Sequence, residues 1–112
     1  MLLDRAAWAA MAPVIEANVR ALRSGPPGQP ALDRYAEAAG LLTGTPGATV
    51  DEGLAWIRDT ITLLAIPGLA SFGVRAQDAD AMAAQAARSS SMQGNPVVLS
   101  HDDLRAILLS AL

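Results

Sequence analysis

The amino-acid sequence predicts an all-α protein, a helical bundle of about five helices. Apolar residues recur at helical spacing in at least four segments, and no run of four to eight residues alternates with the period of two that marks a half-buried strand. Clusters rich in Gly and Pro separate the periodic segments. With 112 residues, 52% of them hydrophobic and 17% charged, the chain is expected to form a single helical domain over residues 1–112, with a modest core.

The first helix is predicted over residues 4–23, where Met11, Val14, Ile15, Asn18, Val19 and Leu22 fall on one face. Pro13 removes a backbone donor from its middle and is expected to kink it or to open its second half. Ser24-Gly25-Pro26-Pro27-Gly28-Gln29-Pro30 then reads as a loop. A second helix, Ala31 to Leu42, presents Leu32, Tyr35, Ala36, Ala39 and Leu42 on one stripe. The third has the clearest start signal, because Thr49 and Glu52 have the spacing of a capping box. Its expected buried stripe is Val50, Leu54, Ile57, Ile61 and Leu64, and Pro67-Gly68 stops it.

Leu69 to Val74 reads as a turn packed through Phe72. An alanine-rich helix, Gln77 to Arg88, follows with Met82 as its only large apolar residue, and Ser89 to Leu99 reads as a loop. The last helix begins at Ser100, which forms an N-cap pair with Asp103, and it buries Leu104, Ile107, Leu108 and Leu112.

Charge and composition narrow the function. The eight basic residues, all arginine, are outnumbered by eleven acidic ones, and the isoelectric point is about 4.8. Without clustered positive charge, neither a nucleic-acid partner nor an anionic membrane is expected. The absence of cysteine excludes disulfides, zinc ribbons and thiol nucleophiles. Met1-Leu2-Leu3 runs directly into Asp4 and Arg5, which is not the order of a signal peptide, and the apolar run from Ile61 to Ala70 is too short to span a bilayer. A cytoplasmic location is expected.

The candidate chemistry is sparse. A metal site built from protein ligands needs three or more converging His, Cys, Asp or Glu, and the chain has one His. Asp51 and Glu52 are better explained as first-turn carboxylates complementing a helix dipole. His101, beside Asp102 and Asp103, is a candidate general acid or base, but a rim histidine explains it with less. Ser89-Ser90-Ser91 lacks the base and the orienting group that activate a nucleophile. No Gly-rich phosphate loop occurs. Trp8, Trp56, Met82 and Met92 at helical spacing are expected in the core.

Four stretches in order nevertheless suggest a family. Met11-Ala12-Pro13-Val14-Ile15-Glu16-Ala17-Asn18 and Leu32-Asp33-Arg34-Tyr35-Ala36-Glu37-Ala38-Ala39 resemble the start of the C-terminal helical domain of iron-containing alcohol dehydrogenases. Glu52 to Val74, with Ile66-Pro67 and Phe72-Gly73-Val74, resembles that family's passage of a helix, a short turn and Gly-Val. Ser90-Ser91-Met92-Gln93-Gly94-Asn95-Pro96, followed by a terminal helix, is similar to its ending and nearest to the phosphonoacetaldehyde-reductase-like branch. The resemblance covers residues 5–112 and implies the C-terminal part of the dehydroquinate-synthase-like fold.

It further implies an NAD(P)-dependent alcohol dehydrogenase or aldehyde reductase. In that family an N-terminal α/β domain binds the dinucleotide, and a divalent metal, Fe or Zn, is held by one Asp and three His. This chain contains no counterpart of the cofactor domain. The single ligand position that falls within it aligns with Leu3, or with Asp4 after a slip of one, and neither is histidine. No catalytic, cofactor-binding or metal-ligating residue is therefore carried over, and the chain alone is expected to be inactive. Ser91, Met92 and Asn95, in the loop that lies near the substrate cleft of such enzymes, are the substrate-pocket candidates. The alternative for Asn95 is a turn cap before Pro96.

Two kinds of partner follow. A severed helical part exposes an apolar face toward the complementary dehydrogenase portion, with helix 77–88 as the candidate face. A free-standing module that has lost catalysis would bury the same face in self-association or against a partner.

Overall fold

The computed structural model describes the backbone of residues 2–112 and the side chains of all of these except residues 2–7 and 90–91. Its elements are α1 (Leu2–Arg23), α2 (Pro30–Thr43), α3 (Val50–Leu63), two 3-10 turns (Leu69–Phe72 and Ala76–Asp78), α4 (Ala79–Ala87), the single-turn α5 (Ser90–Gln93) and α6 (His101–Ser110). Among the described residues there is no strand, so Val97-Val98-Leu99 belongs to a connection.

The long helix α1 is the organising element. It runs on through Pro13 and packs against the α2–α3 pair, against α6 and against the first 3-10 turn, while α4 packs on α6. One apolar cluster joins Ala17 of α1 to Ala83, Leu104 and Ile107, and a second joins Ala12 to Leu54 and Ile57. The two clusters lie on different sides of α1, so the helix forms a wall between two small cores.

Local signals set the helix starts. Thr49 Oγ1 accepts the Glu52 amide at 3.1 Å while Glu52 Oε1 accepts the Thr49 amide at 3.1 Å, and Ser100 with Asp103 repeats the reciprocal arrangement at 3.0 Å in both directions. Pro30 begins α2, where its missing N–H is an orphan in any case. At the end of α3 the Ile66 amide bonds to Ile61 O and the Ala65 amide to Thr62 O, a Schellman closure with Ala65 at φ 53°.

Several expectations are corrected. The segment 89–99 is not all loop, because Ser89 caps α5 by accepting the Met92 amide. Leu69, rather than Phe72, is the buried residue of the turn that follows α3. Leu64 and Leu42 lie at the ends of their helices and are 63% and 43% exposed. Trp8 and Trp56 are on the surface and not in the core. The alanine-rich helix is covered on one side only: Ala79 and Ala83 are buried where α4 meets α6, and their short side chains permit the close approach, while Ala81, Ala84 and Ala87 are exposed.

The resulting body is a slab with extents of 40 × 34 × 19 Å. Among the described side chains, half of the fourteen buried apolar residues are alanines, and no large one is completely enclosed. The chain exposes 7204 Å², about 1,400 Å² more than the size scaling of monomeric proteins gives for its mass.

Candidate functional site

The four stretches that carry the family resemblance occupy α1, α2, the α3-to-turn passage and the α5-to-α6 connection. Three of them meet at one polar cluster. Asn18, on the inner face of α1, is the one buried polar residue among the described side chains, at 2% exposed. Its Nδ2 donates to Asn95 Oδ1 at 2.9 Å and to the Tyr35 hydroxyl at 3.1 Å. Asn95 Nδ2 returns a bond to Asn18 Oδ1 at 2.7 Å and donates its other hydrogen to Val97 O at 2.7 Å. All four amide N–H groups and both amide oxygens are thereby used, which offsets the cost of burying the Asn18 carboxamide.

Sequence reasoning placed Asn18 on an apolar stripe without assigning it a role. A carboxamide among Val14, Ile15 and Val19 is itself a signal, because a buried amide requires a partner. What the local sequence could not give was the identity of that partner, 77 residues away.

The three pocket candidates are placed differently. Asn95 is held in the cluster with Asn18 and caps the turn through Val97 O. Met92 packs on the core cluster of Ala17, Ala83, Leu104 and Ile107, and it lines a small apolar cleft of about 120 Å³ with Val98, Leu99 and Leu104. The Ser91 side chain lies outside the described residues. Met92 and Asn95 therefore face different neighbours, with Asn95 away from that cleft.

Several other polar groups are engaged with one another on the surface. His101 Nε2 stands 3.5 Å from Asp80 Oδ1, which also receives Arg105 Nε at 2.9 Å, and the imidazole is half exposed. A hollow of about 350 Å³ between α1 and α3 is lined by Arg20, Arg23 and Arg58 with Glu16 and Asp51. Asp51 takes both nitrogens of Arg23 at 3.3 and 3.4 Å, and Glu16 bridges Arg20 and Arg58, so most of the charge is compensated within the hollow. Exposed pairs of this kind contribute little to stability.

Among the described residues no three His, Asp or Glu side chains converge, so the one-Asp, three-His set implied by the resemblance is not assembled from them. Leu3 and Asp4, the aligned ligand positions, have side chains outside the described residues. No helix is long and apolar enough to cross a membrane. Comparison with protein-family models, curated proteins and solved structures found no match to the chain.

Proposed function

We propose that the chain is the C-terminal helical part of an iron-type, NAD(P)-dependent alcohol dehydrogenase or aldehyde reductase, acting in the cytoplasm and catalytically silent alone. The cofactor site and the Fe or Zn ligands belong to a complementary portion. This chain supplies the helical scaffold and one wall of the substrate cleft near Met92.

The observation that supports this reading is the Asn18–Tyr35–Asn95 cluster. Three separate stretches of family-like sequence contribute one polar side chain each to a single hydrogen-bonded knot. Shared sequence is explained economically when the residues that share it depend on each other for hydrogen bonding.

The test is a chimera in which this chain replaces the C-terminal helices of an iron-containing alcohol dehydrogenase. The expected result is aldehyde-dependent oxidation of NADH or NADPH by the chimera, with none from the isolated chain or from the truncated enzyme. A chimera that melts cooperatively and binds the dinucleotide, yet turns over no aldehyde, overturns the reading.

A second reading, a free-standing dimerisation or partner-binding module without catalysis, is favoured by the exposure of Trp8, Leu63 and Leu64.

A further inference from the structure

Three of the chain's eight arginines stand around one hollow. Arg20 and Arg23, in the last turn of α1, meet Arg58 of α3 around a space of about 350 Å³, which is the small end of the range for ligand sites. Glu16 and Asp51 share the lining, so the hollow carries one net positive charge in a chain whose formal net charge is -3. Between these charged groups the lining is apolar, formed by the buried residues Val19 and Leu54.

The three guanidiniums are not equally engaged. Arg23 gives two nitrogens to Asp51, and Arg58 pairs with Glu16. Arg20 Nη2 stands 3.7 Å from Glu16, its only carboxylate partner among the described residues and beyond hydrogen-bond reach, and its side chain is the most exposed of the three. One planar fork thus keeps its donors for another acceptor, beside two forks that are already held in place.

We infer that the hollow binds a small organic carboxylate, one negative charge on an apolar body, with its two oxygens on the Arg20 fork and its body over Val19 and Leu54. A guanidinium presents parallel N–H donors that match the two oxygens of a carboxylate. A single added charge balances three arginines against three anions, and the existing pairs with Asp51 and Glu16 need not break. Inorganic phosphate, with more than one charge near neutral pH, would overshoot that balance and leave the apolar lining uncovered. The hollow shares no lining residue with the Met92 cleft, and the inference does not rest on the dehydrogenase reading.

The test is a titration of the full, isotope-labelled 112-residue chain with benzoate at low ionic strength, followed through the amide resonances. Benzyl alcohol and inorganic phosphate serve as the uncharged and the inorganic counterparts. Saturable shifts centred on Val19, Arg20, Leu54 and Arg58 are expected with benzoate, and binding about tenfold weaker or less with either counterpart. Arg20→Gln is expected to weaken benzoate binding by about tenfold. Arg75→Gln, an equal change of net charge at an exposed arginine outside the hollow, is expected to leave it unchanged. Because the Arg20 side chain is 66% exposed and bonds to no carboxylate, its variant keeps the melting temperature of the parent. No saturable shift, shifts centred elsewhere, equal losses in the two variants, or phosphate bound as tightly as benzoate overturns the inference.

Discussion

Asn18 and Asn95 exchange two hydrogen bonds between their carboxamides, at 2.9 and 2.7 Å, and so tie the middle of α1 to the connection ahead of α6. The exchange works only when both amides are present. Asn18 is buried, and its remaining hydrogen bond goes to the Tyr35 hydroxyl.

Asn95→Ala is therefore expected to destabilise the fold by about 2 kcal/mol, because it strands one donor and the acceptor of a buried amide. Asn18→Ala should cost a similar amount by unpairing Asn95 and Tyr35. The double variant should cost less than the sum, with a coupling of about 1 kcal/mol, measured by urea unfolding of all four proteins in a double-mutant cycle. Additive costs would show that the two side chains do not act as a pair.

The α2–α3 pair depends on a backbone contact at Gly53. A Cβ placed there would stand 2.5 Å from Ala39 Cβ and 3.0 Å from Ala39 Cα. Gly53→Ala is expected to push the helices apart at a cost of about 1–3 kcal/mol, read as a lower urea midpoint. Adding Ala39→Gly should recover part of that loss by removing the nearer atom, whereas a steric conflict elsewhere would leave it unrecovered.

Ala65 closes α3 at φ 53°, a left-handed conformation that costs an L residue about 1–2 kcal/mol and costs glycine almost nothing. Ala65→Gly relieves that strain but gives the unfolded chain more freedom, worth about 0.4–1 kcal/mol in the opposite sense. The net expectation is a stabilisation of about 0.5–1 kcal/mol, seen as a higher melting temperature in calorimetry. An unchanged or lower melting temperature would mean that the Ala65 methyl makes contacts worth as much as the strain.

Much of the secondary structure was legible in the residue order. The capping pairs Thr49–Glu52 and Ser100–Asp103 are written three residues apart, and the helix faces of α1 and α3 follow a period of 3.6. The same reasoning passed over α5, although Ser89 carries an N-cap residue type, because a single turn offers no period to detect. The small side chains of the alanine helix read as a sign of close helix contact, and the same helix as the candidate open face; Ala79 and Ala83 are buried in such a contact with α6, while Ala81, Ala84 and Ala87 on its other side are exposed. Trp8 and Trp56 read as core from their helical spacing, yet they are 45% and 40% exposed, because the slab has no further layer to cover them.

The candidate site was legible only in its parts. Asn95 stood out beside Pro96, and Asn18 stood within an apolar stripe, but nothing within a few residues of either named the other. Helix periods, caps and breaks are interactions between positions three or four residues apart, so the order of amino acids suffices to specify them. The Asn18–Asn95 pair, the Gly53–Ala39 contact and the uncovered face at Leu63 depend on which helix surfaces meet. That choice is made by packing over the whole chain, where contacts across tens of residues compete with one another and the burial of a few small side chains decides the arrangement.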